Sequence, residues 1–122
     1  MTTPPPDARF PQRFRLKTPA QFQAVYDRKK SASDPVLLVF AGRNDLPHPR
    51  VGLSVSKKVG NAVMRNRFKR LFREAFRLTR TELPIGVDLI LIPRPCPKPP
   101  SLDDVKTSLV KLAHQAARKL PK

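Results

Sequence analysis

The stretch of sequence that decides the fold runs from residue 57 to residue 77 and reads KKVGNAVMRNRFKRLFREAFR. Its apolar residues recur three or four positions apart, so they fall on one stripe of a helix that turns about 100° per residue. The stripe consists of Met64, Phe68, Leu71, Phe72, Ala75 and Phe76. The opposite side carries Asn66, Lys69, Arg70, Arg73, Arg77 and Arg80, while Arg65 and Arg67 flank the stripe. The pattern predicts an amphipathic helix from about residue 61 to residue 81, which Pro84 and Gly86 end.

The exposed side of this helix is predicted to be almost purely basic, because only Glu74 opposes the positive charge within it. Like charges one turn apart cost about a few tenths of a kcal/mol per pair, and a polyphosphate partner would reverse that cost. Arginine predominates, and its planar fork binds phosphate through two hydrogen bonds. Lys57 and Lys58 precede the helix start, where N–H groups and the helix dipole attract anions. The pattern favours a phosphate-binding face over its alternative, a solvated basic face on a core helix.

The whole chain shares this positive charge. Its 122 residues include 25 Lys and Arg against 9 Asp and Glu, a formal net charge of +16, and 39% are apolar, enough for one core. A polyanionic partner is indicated. Nucleic acid is favoured over an anionic membrane, because no run approaches the ~20 apolar residues of a membrane span. The N-terminus lacks the apolar region of a signal peptide, and the single Cys96 cannot form an intrachain disulfide. We therefore expect a cytoplasmic protein.

Two further helices are predicted near the ends of the chain. Thr18 is a suitable N-cap for the first helix, and Gln21 completes a capping box. Ser101 caps the last helix, whose apolar stripe consists of Val105, Leu109, Leu112, Ala113, Ala116 and Leu120. Residues 1–13 are rich in proline and predict a flexible tail. Residues 14–120 are then a single domain.

Three strands are predicted between the helices. Residues 35–41 are apolar and rich in strand formers, and residues 50–56 alternate between apolar and small polar side chains. We expect these two strands to form a hairpin. Residues 86–92 are apolar enough for a central strand, and the prolines of residues 93–100 predict a stiff extended loop. A few strands with helices packed on them predict an α+β domain.

One contiguous block resembles a known family. Residues 50–70, RVGLSVSKKVGNAVMRNRFKR, resemble the signature block of bacterial ribonuclease P proteins, including its Arg-Asn-Arg motif at 65–67. The resemblance extends more weakly over residues 13–118. It implies the element order αβββαβα with a small four-stranded sheet, and therefore a further short strand near residues 28–33. It also implies a left-handed crossover between two parallel strands, where general rules favour the right hand.

The resemblance also implies partners and site residues. In this family the catalytic RNA of ribonuclease P removes the 5′ leader of precursor tRNA with divalent metal ions such as Mg²⁺. The protein itself is expected to carry no catalytic residue and no metal site, and to bind neither a membrane nor a small-molecule substrate. By similarity, the catalytic RNA contacts Lys57, Arg65, Asn66, Arg67, Lys69, Arg70 and Arg73. The leader binds in a cleft lined by Phe22, Tyr26, Leu38, Phe40, Ser54 and Lys58.

The cleft has an independent physical basis. Base stacking on aromatic rings contributes ~1–3 kcal/mol per base whatever the base, which suits leaders of varying sequence. Period-two alternation puts Leu38 and Phe40 on one sheet face and Val39 on the other. Phe40 stands where relatives often carry Tyr, so a hydrogen bond from that hydroxyl is lost. Without the resemblance, the helical spacing of Phe22 and Tyr26 favours core packing instead.

Other functions have less support in the residues. The carboxylates are scattered and no Cys/His cluster has zinc spacing, which disfavours a protein-only nuclease. Asp88 is expected to be a structural hydrogen-bonding group rather than a metal ligand. An RNA-binding protein of another assembly, such as the ribosome, fits the composition equally well, and only residues 50–70 separate the two. A basic helix can also enter a DNA major groove, but Phe68 and Phe72 tie this helix to a core.

Overall fold

Three helices and four strands follow one another in the predicted order αβββαβα in the computed structural model, which describes residues 12–95 and 100–120. The helices are α1 (Pro19–Asp27), α2 (Ala62–Thr79) and α3 (Leu102–Arg118). The strands are β1 (Lys30–Ser33), β2 (Leu37–Arg43), β3 (Arg50–Leu53) and β4 (Val87–Pro93). The extra strand expected near residues 28–33 is confirmed as β1. The tail predicted over residues 1–13 lies almost wholly outside the described residues. Of the loop predicted at 93–100, residues 96–99 lie outside them, and Pro93 is the last residue of β4.

Side-chain caps fix where the helices begin. Thr18 Oγ1 accepts a hydrogen bond from the Gln21 N–H at 3.2 Å, and Gln21 Oε1 accepts one from the Thr18 N–H at 3.2 Å, which confirms the capping box. Asn61 Oδ1 caps α2 by accepting from the N–H of Met64, and Ser101 caps α3. Such a cap contributes about 1 kcal/mol. α2 ends at Thr79, slightly earlier than predicted, and continues as one 3-10 turn over Arg80–Glu82.

The four strands form one mixed sheet in the order β1-β2-β4-β3. β4 is antiparallel to β2, with Phe40 opposite Ile90, and parallel to β3, with Gly52 opposite Ile90. The predicted hairpin between the strands at 35–41 and 50–56 is therefore wrong, because β4 lies between them. β4 takes the centre because its side chains are buried on both faces. α2 connects the two parallel strands, and the left hand of that crossover stays a prediction.

Helices cover both faces of the sheet. On one face, α2 and α3 bury a large cluster that includes Val39, Phe72 and Leu109, each fully buried. Truncating such a phenylalanine to alanine costs about 3–5 kcal/mol. On the other face, α1 covers a smaller cluster around Val25 and Ile90. The alternation predicted for β2 is confirmed, because Val39 belongs to the large cluster and Phe40 packs on the small one.

Residues 12–17, here called the N-terminal strap, run along the outer edge of β3. The Leu16 N–H donates to the Val51 carbonyl at 3.0 Å, and Arg15 forms a parallel bridge with Val51. Phe14 joins the large cluster and Leu16 the small one, so the strap is anchored on both sides of the sheet. No helix in the described ranges has the length and apolar character needed to cross a membrane.

Candidate nucleic-acid interface

α2 is held to the core by phenylalanines and turns its basic side outward. Phe68, Phe72 and Phe76 are at most 2% exposed, and the rings of Phe68 and Phe72 stack with centroids 6.2 Å apart. Most residues predicted to contact the catalytic RNA lie along the rest of the helix: Asn66, Arg67, Arg70 and Arg73 are exposed, and Arg65 and Lys69 are half-buried. The predicted one-sided basic helix is confirmed. Its contact with RNA stays a prediction.

Lys57 and Lys58 occupy a 3-10 turn directly before α2. Ser56 caps this turn by accepting a hydrogen bond from the Lys58 N–H at 3.3 Å, and both lysine side chains are exposed. Gly60 ends the turn with φ +137°, a conformation that side chains disfavour. A Cβ there would also lie 2.9 Å from the Cβ of Met64. The turn therefore places two lysines at the positive end of the α2 dipole, which adds to the attraction for phosphate.

The last turn of α2 differs from the turns before it, because its cations are engaged within the chain. Arg77 forms an ion pair with Glu74, and this hydrogen bonding raises the pKa of Arg77. The Arg80 guanidinium lies 4.3 Å from the centre of the Phe14 ring. The sequence grouped Arg77 and Arg80 with the basic face, but the structure gives both an internal partner. The face available for phosphate therefore ends at Arg73.

Arg65 differs from its exposed neighbours on α2. Its side chain is half-buried, and its Nε is buried with no hydrogen-bond partner in the described ranges. A buried donor without a partner costs free energy. An acceptor that reached this nitrogen would remove that cost, so Arg65 is the residue of the face with most to gain from a bound anion.

The aromatic residues predicted for the leader cleft meet on the sheet face that α1 covers. The rings of Tyr26 and Phe40 pack edge to face with centroids 5.1 Å apart. Phe22, Tyr26, Leu38, Phe40 and Ser54 are all half-buried, neither sealed in the core nor free in solvent. Leu38 pairs with Ile92 across β2 and β4, one row beyond Phe40 and Ile90. Lys58 is exposed in the turn after β3, and its place in the cleft stays a prediction.

Gly52 of β3 is a site residue that sequence reasoning missed. A Cβ on Gly52 would lie 2.4 Å from Cζ and 2.7 Å from Cε1 of Phe22, far inside van der Waals contact. The Phe22 ring can therefore lie against β3 only because residue 52 has no side chain. Its place in the half-buried strand predicted at 50–56 was visible in the sequence, but its contact with α1 was not.

Asp88 holds β3 to β4 beside this face. Its carboxylate accepts hydrogen bonds from Arg50 Nε and Nη2 at 2.8 and 2.7 Å and from Asn44 Nδ2 at 2.7 Å. Hydrogen bonding to Asp88 raises the pKa of Arg50. The structural role expected for Asp88 is confirmed. Within residues 12–95 and 100–120, no three His, Cys, Asp or Glu side chains lie close enough to hold a metal ion.

Comparisons with known proteins agree with the resemblance seen in the sequence. A family model described as ribonuclease P matches residues 10–117. The ribonuclease P protein component of Brevibacillus brevis is 41% identical over 103 residues, spanning 84% of this chain and 82% of that protein. The component of Escherichia coli O139:H28 is 45% identical over 84 residues, spanning 68% of this chain and 70% of that protein.

Solved structures extend the agreement to the fold. The ribonuclease P protein of Staphylococcus aureus matches with a TM-score of 0.72 at 34% identity, covering 86% of this chain and 95% of that one. The protein from Thermotoga maritima matches with a TM-score of 0.72 at 27% identity, covering 88% and 98%. The matched residues include the basic helix, all four strands and the block at 50–70, and on this evidence the chain belongs to the bacterial ribonuclease P protein family.

Proposed function

We propose that this chain binds the catalytic RNA of ribonuclease P through α2 and the 5′ leader of precursor tRNA through the aromatic cleft. The family makes it a component of an endoribonuclease that acts in tRNA 5′ maturation. The observation that carries the finer proposal is the one-sided basic face of α2, which ends where Arg77 and Arg80 have partners within the chain. The assembled particle would work in the cytoplasm.

The catalytic RNA contact is an electrostatic one. Exposed cations along α2 follow one side of a rigid helix, so several can reach phosphates of one RNA strand. Affinity falls as salt rises, and each neutralised phosphate makes the slope of log affinity against log salt steeper by about 0.9 for a duplex. Loss of one such arginine should therefore weaken assembly and reduce the salt slope by about one.

The leader contact is a stacking one. Phe22, Tyr26 and Phe40 present partly accessible ring surface on a sheet face. A base on one ring contributes ~1–3 kcal/mol without regard to sequence. Because mature tRNA has no leader, the cleft would make the ribonucleoprotein prefer precursor over mature tRNA by about tenfold or more.

Hydrolysis is assigned to the RNA in this proposal. Mg²⁺ would be held in the ribonucleoprotein, and the described part of the chain offers no cluster of carboxylates to hold it. The carboxylate of Asp88 is already taken by Arg50 and Asn44. The protein's contribution is then affinity for the substrate, not a reacting group.

Reconstitution tests the two surfaces separately. The protein is mixed with ribonuclease P RNA and precursor tRNA at low magnesium and physiological salt, and leader cleavage is expected only when both components are present. Arg67→Ala should weaken binding to the catalytic RNA, whereas Phe22→Ala should weaken binding of precursor tRNA relative to mature tRNA. Arg118→Ala, an exposed charge on α3, is the control and should change neither.

Two results would contradict the proposal. Cleavage by the protein without RNA, or no stimulation of the RNA by the protein, would exclude the subunit role. Equal loss of affinity for precursor and mature tRNA in Phe22→Ala would exclude the leader cleft while leaving the α2 surface untouched.

A further inference from the structure

A small pocket lies where the two proposed RNA surfaces meet. Its volume is about 200 Å³, and it is lined by Arg15, Leu16, Phe22, Val51, Gly52, Leu53, Lys69 and Arg73. One wall, Phe22, belongs to the cleft, and another, Lys69 and Arg73, belongs to α2. Among the described residues, the lining contains three basic side chains and apolar surface but no carboxylate. This combination suits a group that has a flat apolar part and a negative charge.

The basic side chains of α2 do not all point the same way. Lys69 and Arg73 are one turn apart, so they share a flank of the helix, and both line the pocket beside β3. Relative to Lys69, Arg73 lies about 40° round the helix, Arg70 about 100° and Arg67 about 160°, and neither Arg67 nor Arg70 lines the pocket. One helix therefore presents two separate pairs of cations to two different directions.

The edge of β3 adds directional partners to this pocket. The Val51 carbonyl faces away from β4, because it accepts from the Leu16 N–H in the strap. Backbone groups repeat their direction every second residue in a strand, so Leu53 also turns its N–H and C=O toward the outer edge. Leu53 lines the pocket. The backbone N–H and C=O of Leu53 therefore lie on the strand edge that borders the cations and the apolar wall of the pocket.

We infer that this pocket holds one nucleotide of the single-stranded leader, with its phosphate at Lys69 and Arg73 and its base against Phe22 and Leu16. The inference rests on the proposed leader function and deepens it. It moves Lys69 and Arg73 from the catalytic RNA, where the sequence placed them, to the substrate. The leader then follows one continuous path from the aromatic cleft to the flank of α2.

Affinities of the reconstituted ribonucleoprotein for precursor and mature tRNA test this inference. Lys69→Ala and Arg73→Ala should each weaken precursor binding about tenfold, the effect of one charge-assisted contact, and leave mature tRNA binding unchanged. Arg70→Ala should weaken assembly with the catalytic RNA and keep the wild-type ratio of precursor to mature affinity. Arg118→Ala should alter neither quantity.

A cross-linking readout does not depend on affinity. A photoreactive uridine is placed at successive positions along the leader, and the cross-linked protein is mapped. One leader position should attach to the strap or to β3, within residues 12–17 or 50–53, and Arg73→Ala should reduce that attachment alone.

The outcomes separate the pocket from the proposal on which it rests. If Phe22→Ala abolishes the preference for precursor while Lys69→Ala and Arg73→Ala retain it, the pocket inference is wrong and the cleft stands. Equal weakening of precursor and mature tRNA by Lys69→Ala would also overturn it. If the wild-type particle shows no preference for precursor, the leader function itself fails.

Discussion

Gly52→Ala is the sharpest test of how the cleft is built. The added Cβ would lie 2.4 Å from Cζ of Phe22, whereas ordinary contact begins at 3.4 Å. The ring must therefore withdraw by about 1 Å, and the overpacking should cost about 1–3 kcal/mol of stability. The neighbouring Cβ of Leu16, at 3.2 Å, limits how far the strand can yield. Most of the adjustment falls on Phe22, whose ring is lifted off β3.

Two measurements follow this change. Thermal unfolding should show a lower midpoint, and the reconstituted particle should lose part of its preference for precursor over mature tRNA. Adding Phe22→Leu to Gly52→Ala should recover stability, because the smaller side chain fits over the new methyl group, but should not recover the preference. Such a double-mutant cycle isolates the contact between the two residues.

Gly42→Ala is a matched control on β2, which lies on the other side of β4 from β3. A Cβ there would lie 3.3 Å from Cα and 3.4 Å from Cγ2 of Val25, so the crowding is milder. It should cost less stability than Gly52→Ala and keep the preference for precursor. If Gly52→Ala unfolds at the wild-type temperature and keeps the wild-type preference for precursor over mature tRNA, the contact between Phe22 and Gly52 does not contribute to function.

Two further predictions concern charge. Arg50→Met should lower the free energy of unfolding in urea by about 3–5 kcal/mol, because it leaves the carboxylate of Asp88 buried without its cation; a loss under 1 kcal/mol, the size of an exposed ion pair, would contradict this. For Asp34, burial raises the pKa, but hydrogen bonds from Ser108 and from the backbone N–H groups of the following turn outweigh it, so the pKa is lowered from 3.8. Because the pKa of Asp34 is lower in the folded than in the unfolded chain, its ionised carboxylate stabilises the protein at pH values above the unfolded pKa. This stabilisation is lost as the pH falls through the folded pKa. The advantage of wild type over Asp34→Asn in urea should therefore be constant near neutrality and shrink only in acid below about pH 4; an advantage independent of pH would refute it.

The helices could be predicted because their signals are local. The capping residues Thr18, Asn61 and Ser101 each act on an N–H group three positions away, and the apolar stripe of α2 is a property of one helix. β1 could not be predicted from pattern, since Lys30–Ser33 is polar, short and at the sheet edge. Only the family resemblance indicated it.

The hairpin was predicted wrongly for a related reason. Two strands that follow one another along the chain usually pair, and nothing within residues 35–56 shows that a strand from residue 87 onward will lie between them. The apolar character of β4 did indicate a central strand, but not between which neighbours. Long-range order of this kind is decided by which pairing buries the most apolar surface, and that depends on the whole chain.

In the candidate site too, some features follow from local sequence and others depend on residues far away along the chain. The basic side of α2 was visible in its periodicity, whereas the roles of Arg77 and Arg80 depend on their partners Glu74 and Phe14. Glu74 was noticed in the sequence as a single opposing charge, but Phe14 lies far away along the chain. Likewise Gly52 becomes important only when the ring of Phe22 packs against β3. A side chain's neighbours across the fold, which no local pattern encodes, determine these roles.

The place of β4 in the sheet has a consequence for synthesis of the protein. β4 is the last strand to leave the ribosome, yet it supplies the inner partner of both β2 and β3. Until Val87–Pro93 emerges, β2 and β3 lack the strand that lies between them, and the phenylalanine stripe of α2 is not yet covered by α3. The sheet can therefore be completed only late in synthesis, and α3, which follows β4 in the chain, packs on α2 later still.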